Sequence, residues 1–256
     1  MEIVILGSGN IATHLGKALK MAGQNITQVW SRSHDRAAEL GDAVGAIAVR
    51  DLSDISSSAG LYLLAVNDDA IKDVAGRLDI SGGLLVHTSG STGLDILDGI
   101  AQKTGVFYPI QTFSKSKAVD LRNVPIAVEG RSPEVTAILH SLASRISEKV
   151  IEMSSVQRRT VHAAAVFACN FTNHMYVVAN KLLADQGLDF DLLRPLIAET
   201  ALKIQTVDPS SVQTGPAVRD DKSTMDKHMQ MLSDEPALRE LYEKLSQSII
   251  NYQKLS

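Results

Sequence analysis

Cysteine is nearly absent from the chain, since Cys169 is the single one among 256 residues. One cysteine excludes an internal disulfide, and no spacing of cysteine and histidine resembles a zinc site. An excess of one charge is missing too, because 25 basic and 29 acidic side chains leave a formal net charge of −4. We therefore expect no nucleic-acid partner. No run approaches the roughly 18 apolar residues of a membrane span, so we expect a cytoplasmic protein without a membrane partner.

Short apolar runs alternate with helix-like segments over roughly the first 150 residues. Hydrophobic residues make up 45% of the chain and charged residues 21%, as in an ordinary globular protein. The predicted strands occupy residues 1–6, 26–30, 46–49, 61–66, 84–87, 106–108, 124–128 and 149–152. This alternation predicts an α/β fold whose mainly parallel sheet is covered by helices on both faces.

The composition changes after residue 153, where glycine becomes sparse. Residues 154–184 predict one long helix, and residues 189–207 predict a second, which Pro195 either bends or starts late. Two closing helices are predicted at residues 219–232 and 235–252. We therefore predict two domains, with the sheet in residues 1–153 and an all-helical domain in residues 154–256.

The first predicted strand runs directly into the segment GSGNIA, a GxGxxA pattern that opens a helix. In a doubly wound dinucleotide-binding (Rossmann) domain, the first glycine allows a tight turn and the second lets the backbone approach a pyrophosphate. The helix N-terminus then presents free N–H groups to the phosphates. The residues predicted to hold the pyrophosphate are Gly7, Ser8, Gly9, Asn10 and Ile11. The alternative interpretation is a tight turn without a ligand.

The second predicted strand ends in Trp30-Ser31-Arg32-Ser33. An acidic residue at this position would indicate NAD, because it would bond the adenosine ribose. No acid is present, which also argues against S-adenosylmethionine, and an arginine between two hydroxyls suits a 2′-phosphate. We therefore predict NADP(H) as the cofactor, with Ser31, Arg32 and Ser33 on its 2′-phosphate. The alternative is a solvent-exposed arginine.

Ligands of open parallel sheets bind beyond the carboxyl ends of the strands. Val66 and Asn67 follow the fourth predicted strand and are expected to border the nicotinamide. The next strand ends in HTSGSTG, whose hydroxyls and N–H groups can hold a substrate oxygen, and Ser89 is the candidate residue there. A helix-capping turn explains this segment equally well. Residues 108–113 are predicted to form a wall of the cleft.

A polar stripe runs along the predicted long helix. At about 100° per residue, His162, Cys169 and Asn173 fall on one face, and His174 lies beside them. Such a stripe indicates either a ligand cleft or an interface between helices. His162 and His174 are candidate proton donors, because a histidine titrates near neutral pH. Asn173 is a further candidate site residue, and His87 is a weaker proton donor.

The segments GSGNIA, SRS, AVNDDAI, HTSGS, YPIQTF, ACNFTNH and TGPAVRDD together resemble a bacterial family of Rossmann-like proteins with a C-terminal domain named DUF2520. Members of that family are usually described as NADP oxidoreductases. More distantly, the chain is similar to pyrroline-5-carboxylate reductases, deazaflavin-dependent NADP reductases and β-hydroxyacid dehydrogenases. The resemblance covers essentially the whole chain, and it implies a homodimer joined through the C-terminal helices.

We expect an NADP-dependent oxidoreductase that transfers hydride between the nicotinamide and a small molecule with a C=N or C=O group. The β-hydroxyacid dehydrogenases carry a catalytic lysine four residues before an asparagine, whereas Cys169 stands four residues before Asn173 here. An imine reductase requires less of the protein, because a protonated imine accepts hydride without a lysine. The alternative function is a non-catalytic, NADP-binding redox sensor or scaffold.

Overall fold

The computed structural model describes residues 1–115 and 117–253. Its strands are β1 (Glu2–Leu6), β2 (Asn25–Trp30), β3 (Ile47–Val49), β4 (Leu61–Leu64), β5 (Leu84–His87), β6 (Lys103–Pro109), β7 (Ile126–Gly130) and β8 (Val150–Glu152). Its α-helices are α1 (Asn10–Met21), α2 (His34–Val44), α3 (Ile71–Gly76), α4 (Pro133–Ala143), α5 (Ser155–Ala165), α6 (Thr172–Ala184), α7 (Arg194–Lys203), α8 (Lys222–Met231) and α9 (Pro236–Gln253).

The described strands form one sheet in the order β3-β2-β1-β4-β5-β6-β7-β8. Every neighbouring pair is parallel except β6 and β7, which run antiparallel. A parallel pair needs a crossover connection, usually a helix. Among the described residues between β6 and β7, the one helical element is a short 3-10 turn, Leu121–Asn123. The predicted α/β fold with a mainly parallel sheet is confirmed.

Both faces of the central strands β1, β4 and β5 are buried, as the apolar strands predict. Alternate residues of β1 enter different cores: Ile3 and Ile5 pack with apolar residues of α1, α2 and α4, whereas Val4 and Leu6 pack with residues of α3. Along α1, Ala12, Leu15, Gly16 and Leu19 form the buried stripe. The position of α1 over the sheet fixes where its N-terminus points.

The long helix predicted over residues 154–184 is interrupted. A π-helical segment, Val166–Phe171, separates α5 from α6. A π-helix bonds residue i to residue i+5, so a count of 100° per residue does not hold across it. Pro195 lies in the first turn of α7. Of the two predicted effects of this proline, a bend or a late start of the helix, the structure shows the late start.

The chain forms two compact units, the first from Met1 to Asn170 and the second from Phe171 onward. The first unit thus includes α5, which is bound to the sheet through an ion pair between Arg158 and Glu129 of β7. The domain boundary expected at residue 153 stays a prediction. In the second unit, α8 and α9 are joined by His228, whose Nδ1 lies 2.9 Å from the Tyr242 hydroxyl. No helix among the described residues combines the length and hydrophobicity that crossing a bilayer requires.

Candidate functional site

A cleft lies at the carboxyl ends of β1 and β4. The strand order reverses here, because β1 is bordered by β2 on one side and by β4 on the other, and such a switch point is where open parallel sheets bind ligands. Two adjoining cavities of about 330 and 300 Å³ form the cleft. Both cavities are lined by Gly9, Ala65, Val66 and Asn67.

The glycine turn after β1 forms the floor of this cleft. Gly7 has a φ of 123°, and a Cβ on it would lie 2.1 Å from the Ala65 carbonyl oxygen. By contrast, a Cβ on Gly9 would meet no atom within 4 Å, so the space beside Gly9 is open. Gly9 is also the N-cap of α1 and provides no side-chain cap, which leaves N–H groups of the first turn available to an anion.

All five residues predicted to hold a pyrophosphate line the cleft. Gly7, Ser8 and Gly9 belong to the first cavity, and Gly9, Asn10 and Ile11 belong to the second. The Ser8 hydroxyl donates to Ser31 Oγ at 2.8 Å, and this bond joins the glycine turn to the end of β2.

Three arginines line the first cavity. Ser31 and Arg32 line it together with Arg36 of α2 and Arg77, which follows α3. That Ser31 and Arg32 bind a 2′-phosphate stays a prediction. Ser33 is the N-cap of α2 and is not among the residues that line this cavity. Arg36 and Arg77 are not among the residues predicted from the sequence. Three guanidinium groups that line one cavity suit a phosphate with two negative charges. One of them, Arg77, also lies 3.9 Å from the carboxylate of Asp73, which lines the same cavity.

The second cavity extends toward β5 and β6. Val66 and Asn67 line it, and Thr88, Gln111 and Phe113 complete its wall. That Val66 and Asn67 border the nicotinamide stays a prediction. The Asn10 side chain donates to the Phe113 carbonyl at 2.7 Å, so the segment after β6 is held against the N-terminus of α1.

The segment from Thr88 to Gly93, which we name the 88–93 loop, is ordered by its own hydrogen bonds. Ser89 Oγ accepts from the N–H groups of Ser91 and Thr92, at 3.2 and 2.9 Å, and donates to Thr92 Oγ1 at 3.0 Å. The Ser91 hydroxyl donates to Asp68. A catalytic role for Ser89 stays a prediction, and these contacts favour a structural one.

A buried ion pair that was not predicted from the sequence supports the 88–93 loop. Arg158 of α5 pairs with Glu129 of β7, and the two side chains are 1% and 18% exposed. The same guanidinium donates to the carbonyl oxygens of Ser89, at 3.1 Å, and Thr92. Ser155 donates to the Glu129 carboxylate at 2.8 Å. These contacts hold α5, β7 and the loop together.

His162, a predicted proton donor, lies against the carboxyl end of β6. Its Nδ1 is 3.2 Å from the hydroxyl oxygen of Tyr108, and the two rings meet edge to face. The other predicted catalytic residues, Asn173 and His174, are exposed residues of α6 in the second unit. The π-helical segment lies between them and His162, so the shared face counted at 100° per residue does not apply. Their catalytic roles stay predictions.

His87 ends β5 and is fully buried. Its Nδ1 accepts from the Ser89 N–H at 3.2 Å. Burial, followed by the positive charge of Arg158, lowers the pKa of His87 from 6.5 to about 4. The folded chain therefore holds a neutral imidazole beneath the 88–93 loop at neutral pH, which does not suit a proton donor.

We expect the chain to lose stability as the pH falls from about 6.5 to about 4. In this range the unfolded chain binds a proton at His87 that the folded chain does not, so the free energy of unfolding falls by about 3 kcal/mol in total. Urea denaturation at several pH values across this range gives the slope of the free energy of unfolding against pH. We expect this slope in the wild type and a smaller one in His87→Gln. The exposed His140 provides the control His140→Gln. Equal slopes in all three proteins would contradict the prediction.

Comparisons with known proteins agree with this fold. A family profile described as a Rossmann-like domain matches residues 1–111, and one described as a domain of unknown function, DUF2520, matches residues 124–249. A solved structure described as a candidate NADP oxidoreductase from Bacteroides fragilis is 43% identical, with a TM-score of 0.93 over 98% of both chains. A comparison with curated protein sequences gave no significant match.

More distant solved structures share the fold. A 1-pyrroline-5-carboxylate reductase from Streptococcus pyogenes is 15% identical, with a TM-score of 0.65 over 98% of both chains. An imine reductase from Myxococcus stipitatus in complex with NADP+ is 14% identical, with a TM-score of 0.64 over 99% of this chain and 93% of that one. The DUF2520 match begins before β7 and so includes part of the sheet. The chain belongs to the family of Rossmann-like proteins with a C-terminal DUF2520 domain.

Proposed function

We propose that the chain is an NADP-dependent oxidoreductase that transfers hydride between the nicotinamide and a small molecule with a C=N or C=O group. The observation that carries the proposal is the cleft at the switch point, which is lined by the glycine turn and by three arginines. The relative from Bacteroides fragilis, which is named as a candidate NADP oxidoreductase, supports the same function.

The residues of the cleft fit the parts of NADP(H). The open space beside Gly9 and the uncapped N-terminus of α1 suit the pyrophosphate. Arg32, Arg36 and Arg77 suit the 2′-phosphate. Val66, Asn67 and Thr88 would border the nicotinamide. When bound, the reduced cofactor supplies the hydride, and the chain supplies orientation and a proton.

We also propose a homodimer formed through the C-terminal helices. The support is the large number of exposed apolar side chains in the second unit, because a small protein rarely leaves extensive apolar surface in water. These residues are Val177, Leu182, Leu188, Leu192, Leu196, Leu202, Ile204, Val207, Met231 and Leu245. A second copy of the chain would cover them. A cytoplasmic location remains an expectation from the sequence.

Thermal-shift titration of the purified chain with NADPH, NADP+, NADH and NAD+ tests the cofactor. We expect NADPH to raise the melting temperature more than NADH, because only NADPH carries the 2′-phosphate that the arginines suit. A ligand at a hundred times its Kd stabilises the folded protein by about 2.7 kcal/mol. Arg32→Ala should bind NADPH about ten- to a hundredfold more weakly, since a hydrogen bond to a charged group is lost, and should bind NADH unchanged.

Arg131→Ala is the matched control, because Arg131 is a half-exposed arginine paired with Asp98 and lies outside both cavities. If no dinucleotide shifts the melting temperature of the wild type, the glycine turn is structural and the proposed function is wrong. If NADPH binds but no small imine or carbonyl compound oxidises it, the alternative of a redox sensor or scaffold is favoured.

A further inference from the structure

A further cavity, of about 620 Å³, lies in the first unit and shares no lining residue with the cleft. We name it the α1 cavity, because residues of α1 and its C-cap line it, together with residues 115, 118–122 and 145–146. It is larger than either cavity of the cleft. Its volume is typical of small-molecule sites, which range over about 300–1,000 Å³.

Apolar side chains form part of the wall of the α1 cavity. Leu121 and Ile146 are each 4% exposed and belong to the core of the first unit. Ala18, Ala22 and Val119 are partly buried and pack against the same core. Each methylene group that a ligand buries on such a wall tightens binding by up to about fourfold. A ligand with a hydrocarbon part is therefore expected to bind more tightly than a small polar ion.

Four cationic side chains and one carboxylate also line the α1 cavity, and these residues are Lys17, Lys115, Arg122, Arg145 and Asp120. Lys115 lies 3.6 Å from the carboxylate of Glu39, and Arg122 lies 3.9 Å from that of Glu148. The Asp120 side chain accepts from the backbone N–H of Arg122 at 3.0 Å. Two of the four cations thus already have a carboxylate nearby.

Lys17 and Arg145 are the cations that remain for a ligand. Both are exposed, and neither forms an ion pair with any residue that the structure describes. Lys17 belongs to α1, whereas Arg145 follows α4, so the two cations come from different elements of the wall. An exposed cation raises the affinity for an anion by at most about fivefold. The pair therefore selects the charge of the ligand, and the apolar wall provides most of the affinity.

The α1 cavity and the second cavity of the cleft are built on the same two segments. Along α1, Asn10 lines the second cavity and His14 lines the α1 cavity. After β6, Phe113 lines the second cavity and Lys115 lines the α1 cavity. Asn10 donates to the Phe113 carbonyl at 2.7 Å, and His14 Nε2 donates to the Ser114 carbonyl at 3.0 Å. The rings of His14 and Phe113 also lie 4.9 Å apart.

We propose that the α1 cavity binds a small organic anion, and that the bound anion tightens NADPH binding in the cleft. Its apolar part packs on Leu121 and Ile146, and its carboxylate or phosphate group lies at Lys17 and Arg145. Such a ligand contacts α1 and the segment after β6 together, and so favours the arrangement in which Phe113 lines the second cavity. By linkage, NADPH tightens binding of the anion by the same factor. The site is independent of the proposed function, whereas the coupling rests on it.

NMR titration of the isotope-labelled full chain tests the site, because amide shifts report both the location and the Kd of a ligand. The probes are octanoate, octyl phosphate, 1-octanol and acetate. We expect saturable shifts in α1 and at residues 145–146, with at least one octyl anion bound about tenfold more tightly than 1-octanol or acetate. The comparison of octanoate with octyl phosphate identifies the preferred acidic group.

Substitution of the two free cations tests how the anion is held. Lys17→Ala and Arg145→Ala should each weaken binding of the preferred octyl anion about three- to fivefold, and the double variant about tenfold or more. Lys20→Ala is the matched control, because Lys20 is also an exposed lysine of α1 and does not line the α1 cavity. The melting temperatures of all these variants should stay close to that of the wild type, since the side chains are exposed.

The coupling is measured by titrating NADPH, through its fluorescence, with and without a saturating concentration of the preferred octyl anion. We expect the anion to lower the Kd for NADPH about fivefold in the wild type and in Lys20→Ala. At the same concentration it should have a much smaller effect in the double variant. The Kd for NADPH without the anion should be the same in all three proteins, because Lys17 and Arg145 lie outside the cleft.

Two results would overturn the site: no saturable binding of either octyl anion, or equal affinity in the double variant and in Lys20→Ala, which would locate the probe elsewhere. An unchanged Kd for NADPH with the anion bound would overturn the coupling and leave the site. Failure of the wild type to bind NADPH at all is a different result. It removes the proposed function and the coupling together, whereas the NMR titration still decides whether the site exists.

Discussion

Replacing Arg158 by methionine is expected to lower the free energy of unfolding by about 3–5 kcal/mol. The side chain is 1% exposed and its partner Glu129 is 18% exposed, so the substitution leaves a mostly buried carboxylate without its cation. The carbonyl oxygens of Ser89 and Thr92 lose their donor at the same time. We expect few single substitutions in this chain to lower the free energy of unfolding by more.

Thermal and urea denaturation measure this effect, and the expected fall in melting temperature is on the order of 10 °C. Arg131→Met is the matched control, because Arg131 pairs with Asp98 at 2.6 Å while both side chains are about half exposed. An exposed pair contributes at most about 1 kcal/mol. A loss of under about 1 kcal/mol in Arg158→Met would show that the buried pair does not stabilise the first unit.

The double variant Arg158→Met/Glu129→Leu separates two effects of losing Arg158: the unpaired buried charge of Glu129, and the loss of the hydrogen bonds to the 88–93 loop. Replacing both members of a buried ion pair by apolar residues is often nearly neutral, so much of the lost stability should return. The 88–93 loop would still lack the guanidinium that binds two of its carbonyl groups. We therefore expect amide hydrogen exchange in this loop to stay faster than in the wild type even where global stability is restored.

The glycine turn and Arg32 can be predicted from the sequence because their signals are local. A strand, a GxGxxA turn and a helix follow one another within a few residues, and the end of the second strand has a known place in such a fold. The alternation of strands and helices likewise predicts the sheet. These features depend on order along the chain, which is visible without coordinates.

Other parts of the site depend on contacts between distant residues. Arg158 and Glu129 are 29 positions apart, and Tyr108 and His162 are 54 apart, so neither pair forms a motif. Arg36 had a weak signal, since it lies in the first turn of α2 directly after the end of β2. The π-helical segment had none, because a run of residues that favours an α-helix also permits a π-helix.

Gly7→Ala is expected to abolish cofactor binding and to destabilise the first unit by about 2–4 kcal/mol. A φ of 123° strains any residue with a Cβ, and that Cβ would lie 2.1 Å from the Ala65 carbonyl oxygen and 2.6 Å from its carbon. Backbone atoms of β4's end must therefore move. Their neighbours, Val66 and Asn67, line both cavities, so the strain reaches the cleft directly.

Gly9→Ala separates an effect on cofactor binding from an effect on folding, because its Cβ would meet no protein atom within 4 Å. Its φ of −74° is also allowed for alanine. We expect stability within about 0.5 kcal/mol of the wild type, whereas NADPH binding in a thermal-shift titration should be strongly weakened, because the new methyl group enters the space suited to the pyrophosphate. If Gly9→Ala bound NADPH as the wild type does, the pyrophosphate would not lie beside this turn. Loss of stability in Gly7→Ala alone would then reflect folding and carry no information about the cofactor.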